Sequence, residues 1–407
     1  MSNVLIVTHQ FIPHVSPRTT RWKLIVDELI SRGHNVTIIT GTKQALQTEN
    51  YKTIFVGNSR ASKVVNDLRT QSNNIDPNNK FKDKLLKFLK IVYRFVVRNL
   101  AWPDYSMLWL ISVFKEKNKY KVDYDLIISV SLPFSSHIAA YLINKKINKP
   151  WIMDIGDPFS LKVSAPENNG LLYSGLNRYT EKKFYKLANQ ILFTHEDVKK
   201  AHEEEFEIDS QKTIIGQPIS KFDPTLYKKT QEYDYSKKII KFGYFGIFTK
   251  GVRTPNNFYK FLDSFNNYEM HWYVNQDSEE ILKKENFNTT KNFFFSQVSR
   301  DEALHLMVSS FHCLVSVGNL NPNQIPSKVI EYVATGKPVV HFAEIDTDPV
   351  IEISKEFNNL FVVNKNTNIE LFKNNLLNYF ENINNFDFDH FNDLYSATSL
   401  VKKLYNL

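Results

Sequence analysis

The stretch Asn323-Gln324-Ile325-Pro326-Ser327-Lys328-Val329-Ile330-Glu331-Tyr332-Val333-Ala334-Thr335-Gly336-Lys337-Pro338-Val339-Val340 reads as a loop, a short helix, a glycine stop and a buried strand. Pro326 and Ser327 are helix start signals, Gly336 stands where a left-handed terminator belongs, and Pro338 forbids continuation, so the helix has about two turns. Val329, Ile330 and Val333 give it one apolar face, while Ser327 and Glu331 share another. The free amides over 327–330, the positive end of the helix dipole and Lys328 together suit an anion such as a phosphate. Helical side chains lean toward the N-terminus, so Glu331 would stand beside that anion with two acceptor oxygens, an arrangement that fits the vicinal diol of a ribose. On its own the stretch is also compatible with an ordinary capped helix ending at glycine.

Upstream, residues 239–255 read as a strand, a glycine turn and two bases: Ile239-Ile240-Lys241-Phe242-Gly243-Tyr244-Phe245-Gly246, then Lys250 and Arg253. Small residues such as Gly246 let the backbone approach a ligand, and Lys250 and Arg253 can neutralise a diphosphate. Further strands at 270–274, 292–295, 313–317, 339–342 and 360–363 alternate with helical stretches, the pattern of an open parallel α/β sheet.

The front of the chain repeats this logic. A strand at 4–8, a loop, a helix at 19–31 ended by Gly33, and a second strand at 35–40 make a β-α-β unit. Its right-handed crossover implies a parallel sheet, whose ligands collect at the carboxyl ends of the strands. The loop 9–18, with His14 and Arg18, lies at such an end, whereas Arg21 is expected at the solvated surface. A strand at 125–131 runs into Leu132-Pro133-Phe134-Ser135-Ser136-His137, and a strand from Trp151 ends in Asp154-Ile155-Gly156-Asp157-Pro158-Phe159, two carboxylates at another crevice-facing tip. A helix at 174–188, a strand at 190–194 and a charged helix to about 206 follow. Residues 217–239 are polar, basic and punctuated by Pro218 and Pro224, which suits a linker.

Taken together these motifs resemble GT-B glycosyltransferases of family 4, over nearly the whole chain. Ser327, Lys328, Glu331, Gly336 and Pro338 are similar to the donor helix of that family, which holds a nucleotide diphosphate at its start and the ribose on a glutamate. A further glutamate, common eight residues before the ribose one, is replaced by Asn323. The proline-phenylalanine loop and the 154–159 segment resemble a subset whose Asp-x-Arg-Asp-Pro-Trp run here carries Gly156 for Arg and Phe159 for Trp. The resemblance implies an α/β protein of two Rossmann-like domains facing a cleft, with a C-terminal helix over 391–407 crossing back to the first domain. The implied boundaries are an acceptor-side domain at 1–216, a linker at 217–239, a donor domain at 240–388 and the crossover at 389–407.

The implied activity is a retaining glycosyltransferase of hexosyl or N-acetylhexosaminyl type. Its donor is a nucleotide diphosphate sugar bound through Gly246, Ser327, Lys328 and Glu331. Asp154, Asp157, Lys250 and Arg253 are the candidate catalytic residues, and His14, Arg18 and His137 lie on the acceptor side. No cofactor and no metal are expected, because cationic groups would stabilise the departing diphosphate. Two alternatives stay open: a sugar-nucleotide epimerase of the same fold, and a catalytically silent sugar-nucleotide-binding subunit suggested by Asn323 and Gly156.

Bulk composition agrees with this organisation. A chain of 407 residues exceeds what one core supports, and a 42% hydrophobic share with 14% aromatics excludes a disordered chain. Cys313 is the single cysteine, so no intrachain disulfide is possible, and a reducing cytoplasm is expected. Met1 leads straight into an apolar strand, without the basic region and cleavage site of a signal peptide. The net charge of +8 concentrates in the segment 80–98, where Lys84, Lys87, Lys90 and Arg94 interleave with Leu85, Phe88, Leu89 and Val92 at helical spacing. Such a helix either lies on an anionic membrane or packs its apolar face on its own domain. A lipid-linked glycan acceptor of a bacterial surface polysaccharide, at the inner membrane face, is the expected partner. No nucleic-acid module accompanies the charge.

Overall fold

Two parallel sheets organise the chain in a computed structural model that describes residues 1–14, 16–41, 50–57, 99–116, 120, 123–162, 166–216, 239–249, 253, 258–284, 290–320, 325–381 and 386–405. The sequence-predicted basic segment 80–98, most of the linker, Lys250 and Asn323 lie outside the described residues. The chain divides into one unit of Met1–Pro218 with Ala397–Leu407 and another of Ile219–Ser396.

In the first unit, β1 (Asn3–Val7), α1 (Pro17–Ser31), β2 (Asn35–Thr40) and β3 (Lys52–Phe55) precede α2 (Met107–Glu116), β4 (Leu126–Val130), α3 (Ser135–Ile147) and β5 (Trp151–Ile155). Then come α4 (Gly170–Leu187), β6 (Gln190–Phe193), α5 (Glu196–Phe206) and β7 (Thr213–Ile215). The strands pair in parallel in the order β3-β2-β1-β4-β5-β6-β7. Alternate residues supply opposite faces, as the two-residue period of a strand requires. Leu5, Val7, Ile127 and Met153 feed one core, and Val4, Ile6, Ile128 and Ile152 the other.

Helix α1 begins two residues before its expected start. Ser16 accepts from the Thr19 amide at 3.2 Å and its own amide donates to Thr19 Oγ1 at 2.8 Å, a reciprocal cap that admits Pro17 at the first helical position. Helix α4 likewise starts earlier than 174, because Asn169 accepts from the amides of Leu171 and Leu172. Strand β3 and helix α2 carry no sharp sequence signal and are additions from the structure.

The second unit holds β8 (Ile240–Phe245), α6 (Phe258–Asp263), β9 (Tyr268–Tyr273), α7 (Gln276–Lys284), β10 (Asn292–Phe295), α8 (Arg300–Ser309), β11 (Cys313–Val317) and α9 (Ser327–Val333). It continues with β12 (Val339–Phe342), α10 (Val350–Ile353), β13 (Leu360–Val363), α11 (Ile369–Glu381) and α12 (Phe388–Tyr395). All six strands are parallel, in the order β10-β9-β8-β11-β12-β13. Cys313 is fully buried in this sheet, and burial pushes its thiol well up.

The last segment is two helices rather than one. After α12, Ser396 is extended, and α13 (Ala397–Tyr405) begins a new direction. Two hydrophobic destinations explain the break: Phe391 packs with Phe357 and Phe386 in the second unit, whereas Leu400, Val401 and Leu404 enter the core of the first beside Trp22, Ile25 and Leu29. The backbone at Gly216 passes so close to Leu400 that a Cβ there would lie 2.2 Å from a Leu400 methyl. The C-terminal helix thus completes a core begun 378 residues earlier, counted from Trp22 to Leu400. Leu404→Ala should therefore cost the first unit about 2–5 kcal/mol. Urea denaturation checks this, and an unchanged midpoint would show that α13 is a dispensable appendage.

Candidate functional site

In both sheets the strand order reverses once, between β1 and β4 and between β8 and β11. Crevices for ligands open outside the carboxyl ends of such strands. The second unit has a pocket of about 240 Å³ there, lined by Gly246 and Ile247 after β8, Ser316 on β11, Arg253, and Pro326 and Lys328 at the start of α9.

Several contacts fix its walls. The Tyr332 hydroxyl, on α9, donates to the Phe245 carbonyl at 3.1 Å and accepts from the Phe245 amide at 3.0 Å, pinning the helix to the end of β8. Val329, Ile330 and Val333 are fully buried beneath it. The helix ends at Gly336, whose φ of +70° only glycine adopts without strain. Asn359 donates to the carbonyls of Val333 and Lys337, and the Lys337 ammonium donates to those of Val308 and Phe311. Burial brings Lys337 down to about 7. On the opposite wall a Cβ at Gly246 would lie 2.9 Å from the Tyr244 hydroxyl, so a side chain there would press on it. Arg253 is bridged to Thr249 by paired backbone hydrogen bonds, and its Nη2 and Nε donate to Asn319 Oδ1 at 2.8 and 3.2 Å.

Gly246, Arg253 and Lys328 thus line one pocket, as three of the residues selected from sequence. Glu331 sits beside it, mostly covered. Its Oε1 accepts from Arg300 Nη2 at 2.7 Å, and its Oε2 lies 3.8 Å from the Lys328 ammonium. Sequence reasoning missed Arg300, because a base at the start of a helix 31 residues away carries no local signal of its partner. Helix α9 has no side-chain cap at its start, since Pro326 occupies that position.

The first unit gathers a different set. Asp154, at the end of β5, is fully buried, with Oδ2 in an ion pair with Arg21 and accepting from Trp22 Nε1 at 2.8 Å. Burial raises its carboxyl above the ordinary range, while Arg21, the indole N–H and Arg18 pull the other way. Two sequence expectations are corrected here. Arg21 is not a solvated surface group but a buried counter-ion, because a carboxylate taken out of water at position 154 needs one. Asp154 faces inward and is spent on that pair, leaving exposed Asp157 as the strand-end carboxylate open to solvent.

Gly156 has a physical reason as well. A Cβ there would lie 3.3 Å from both Arg21 Nη2 and the Ser131 carbonyl, so the Arg21 guanidinium fills the space that a larger residue would take. Arg18 donates to Gln10 Oε1 at 2.8 Å and feels the charges of Asp157 and Asp154. His195 stands beside Arg21 and Asp157, and burial lowers it to about 4, with Arg21 adding to that and Asp157 opposing it. His14 is exposed on the loop. His137 does not join an acceptor-side site: it is fully buried against Ser129 Oγ at 2.7 Å, and burial drives it to about 3, so it is a neutral core imidazole.

Neither a protein-family model nor a curated protein matches the chain. Solved structures do. Sucrose-phosphate synthase from Thermosynechococcus elongatus is 12% identical, with a TM-score of 0.60 over 100% of this chain and 98% of that one. The Anabaena protein HepE in complex with UDP-glucose is 12% identical, with a TM-score of 0.59 over 100% of both chains. UDP-GlcNAc 2-epimerase from Methanocaldococcus jannaschii is 12% identical, with a TM-score of 0.55, again over 100% of both. The fold is GT-B. At such identities the likeness is one of fold, and a GT-B chain's chemistry must be argued from its own residues.

The inward-facing carboxylate of this GT-B chain is open to a direct test. Asp154→Asn leaves the Arg21 guanidinium buried without its counter-charge and should cost about 3–5 kcal/mol. Asp157→Asn, at the exposed tip of the same strand, should leave the denaturation midpoint where it was. Equal midpoints for the two variants would show that Asp154 is not a structural ion-pair partner.

Proposed function

We propose that the chain is a glycosyltransferase that takes its sugar from a nucleotide diphosphate sugar held in the second unit. The observation that carries this reading is the convergence of Gly246, Arg253 and Lys328 on one pocket at the switch point of the sheet. Two cationic side chains and a side-chain-free backbone turn suit a diphosphate, and their charge would stabilise the leaving group as it departs. The pocket is smaller than the roughly 300–1,000 Å³ that encloses a drug-sized ligand, so it would hold part of the donor and leave the rest outside. Glu331 is the group for the ribose hydroxyls, with Arg300 fixing one of its oxygens and leaving the other to accept. A neighbouring structure of the same fold, HepE, contains UDP-glucose, which makes a uridine nucleotide the first donor to try.

The finer reading follows the sequence resemblance. Transfer would proceed with retention at the anomeric carbon, the acceptor oxygen bonding to that carbon as its bond to the diphosphate breaks, with the hydroxyl proton passing to the departing phosphate oxygen. Hexosyl or N-acetylhexosaminyl donors are the candidates, and a metal is not required because Arg253, Lys328 and Lys250 supply the positive charge. Asp157 and Arg18 are the groups for the acceptor. A lipid-linked glycan of a bacterial surface polysaccharide is the acceptor proposed, with the basic segment 80–98 on an anionic leaflet. The epimerase among the neighbours supports a second reading, in which the sugar nucleotide is isomerised without an acceptor.

Titration with a panel of nucleotide sugars, followed by analysis of products with and without acceptor, separates these. The matching donor at 100 times its dissociation constant should stabilise the protein by about 2.7 kcal/mol. Glu331→Ala should weaken that binding with the fold intact. The Lys250→Ala/Arg253→Ala double variant should lose turnover by tenfold for about every 1.4 kcal/mol of lost transition-state stabilisation. Unchanged nucleotide affinity in Glu331→Ala would remove the donor assignment, and an isomerised nucleotide sugar formed without acceptor would establish the epimerase.

A further inference from the structure

Helix α4 presents an outer face unlike that of a water-facing helix. Leu171 is 99% exposed, and Leu172, Leu176 and Tyr179 are exposed with it along the first half of the helix. Gly175 lies among them with nothing, among the described residues, within 4 Å of where its Cβ would be. The strap at 99–103 runs alongside: the Tyr173 hydroxyl donates to the Leu100 carbonyl at 2.9 Å, Trp102 Nε1 to Asn177 Oδ1 at 3.0 Å, and Asn168 Nδ2 to the Pro103 carbonyl at 2.7 Å. Leu100 on that strap is 59% exposed. Four residues past Pro103, α2 begins a further exposed stripe of Met107, Ile111 and Phe114, at i, i+4 and i+7. Single exposed apolar residues are common on soluble proteins, but a continuous ridge of them marks an interaction surface.

The charge along the same face selects the partner. Helix α4 also turns Arg178, Lys182, Lys183 and Lys186 outward. Arg178 and Lys182 pair with Glu205 and Glu207, while Lys183, its ammonium 5.5 Å from the Tyr141 ring, and Lys186, near the Glu207 charge, are exposed. The only acid in the helix, Glu181, is turned fully inward, where it accepts from Ser160 and, at 2.7 Å, from the Tyr185 hydroxyl. The helix adds no exposed acid of its own to this face of leucines, a tyrosine and bases, and Glu205 and Glu207 of α5 and its end offset only part of the positive charge, a composition that suits a helix lying in a lipid interface. We propose that the outer face of α4, with Leu100 and the start of α2, docks the first unit on an anionic lipid surface, leucines entering the acyl boundary and Lys183 and Lys186 meeting the headgroups. Among the described residues no helix is long and apolar enough to cross a membrane, so the contact is peripheral. The inference does not depend on the donor pocket and is distinct from the sequence-predicted contact through the segment 80–98.

Co-sedimentation of the full chain with phosphatidylglycerol-containing and with pure phosphatidylcholine vesicles, without nucleotide, tests it. The native protein should pellet with the anionic vesicles and be released by salt. The Leu171→Gln/Leu172→Gln/Leu176→Gln variant should partition about tenfold less or lower, at an unchanged melting temperature. Lys183→Gln/Lys186→Gln should weaken binding and flatten its salt dependence. A variant with Lys84, Lys87, Lys90 and Arg94 changed to Gln serves as the comparison. The proposal is overturned if native protein ignores anionic vesicles, or if the leucine variant binds as the native does and only the 84–94 variant fails. It is equally overturned if the leucine variant melts at a lower temperature, which would mean that the chain itself covers this face, or if it merely dissolves a dimer seen by sedimentation.

Discussion

The contact on which the second unit's pocket depends is the reciprocal pair of hydrogen bonds between one phenol and the backbone N–H and C=O of one residue. Tyr332 both donates to and accepts from Phe245, the last residue of β8. At a strand end the backbone N–H and C=O would otherwise face an apolar interior, where an unpaired polar group costs about 1–3 kcal/mol. The same phenol fixes the distance between the Gly246 turn and the start of α9, which are two sides of the pocket. Burial pushes the phenol's ionisation far above its ordinary value, so it remains the neutral donor and acceptor that the arrangement needs. A helix of 7 residues has little stability of its own, and tertiary ties of this kind are what hold it.

The first unit uses charge where the second uses a neutral phenol. Asp154 and Arg21 tie the end of β5 to α1, and the Trp22 indole adds a second bond. Replacing one partner of such a pair leaves a lone buried charge, which is costlier than never having had the pair. Around it the strand-end residues sort by exposure: Asp157 outside, His195 half-buried and held neutral, Asp154 inside. Glu181 makes a similar tie from α4, binding Ser160 just beyond the Asp157 turn. A loop carrying an exposed carboxylate is thereby anchored on both sides by buried ones.

What was legible in the sequence followed from local chemistry. The α9 segment was readable because Pro326, Gly336 and Pro338 bracket a two-turn apolar pattern, and Gly336 does adopt the left-handed conformation. The parallel sheets were readable because short apolar strands alternate with helices. The side chains of the first unit were less so. Arg21 looked like a surface base because its partner is 133 residues away, and His137 looked available because a strand-end loop precedes it. Both depend on long-range packing, which no short window records. The single C-terminal helix expected from its pattern became two because its apolar residues belong to different cores, a division that helical periodicity cannot express.

The charges around the second unit's pocket follow from the same long-range ties. Arg253 spends two of its donors on Asn319, a neutral amide, so its position is fixed without its charge being cancelled. Glu331 would oppose a phosphate placed nearby, but Arg300 holds one of its oxygens at 2.7 Å from outside the pocket lining. Lys328 stays 3.8 Å from the other oxygen, a looser contact that a stronger anion can displace. Two bases therefore keep their positive charge toward the pocket while the adjacent carboxylate is neutralised by a third. That order, net positive charge on the pocket wall beside a carboxylate that retains acceptor capacity, suits the proposed binding of a dianionic diphosphate next to a hydroxyl-rich ribose.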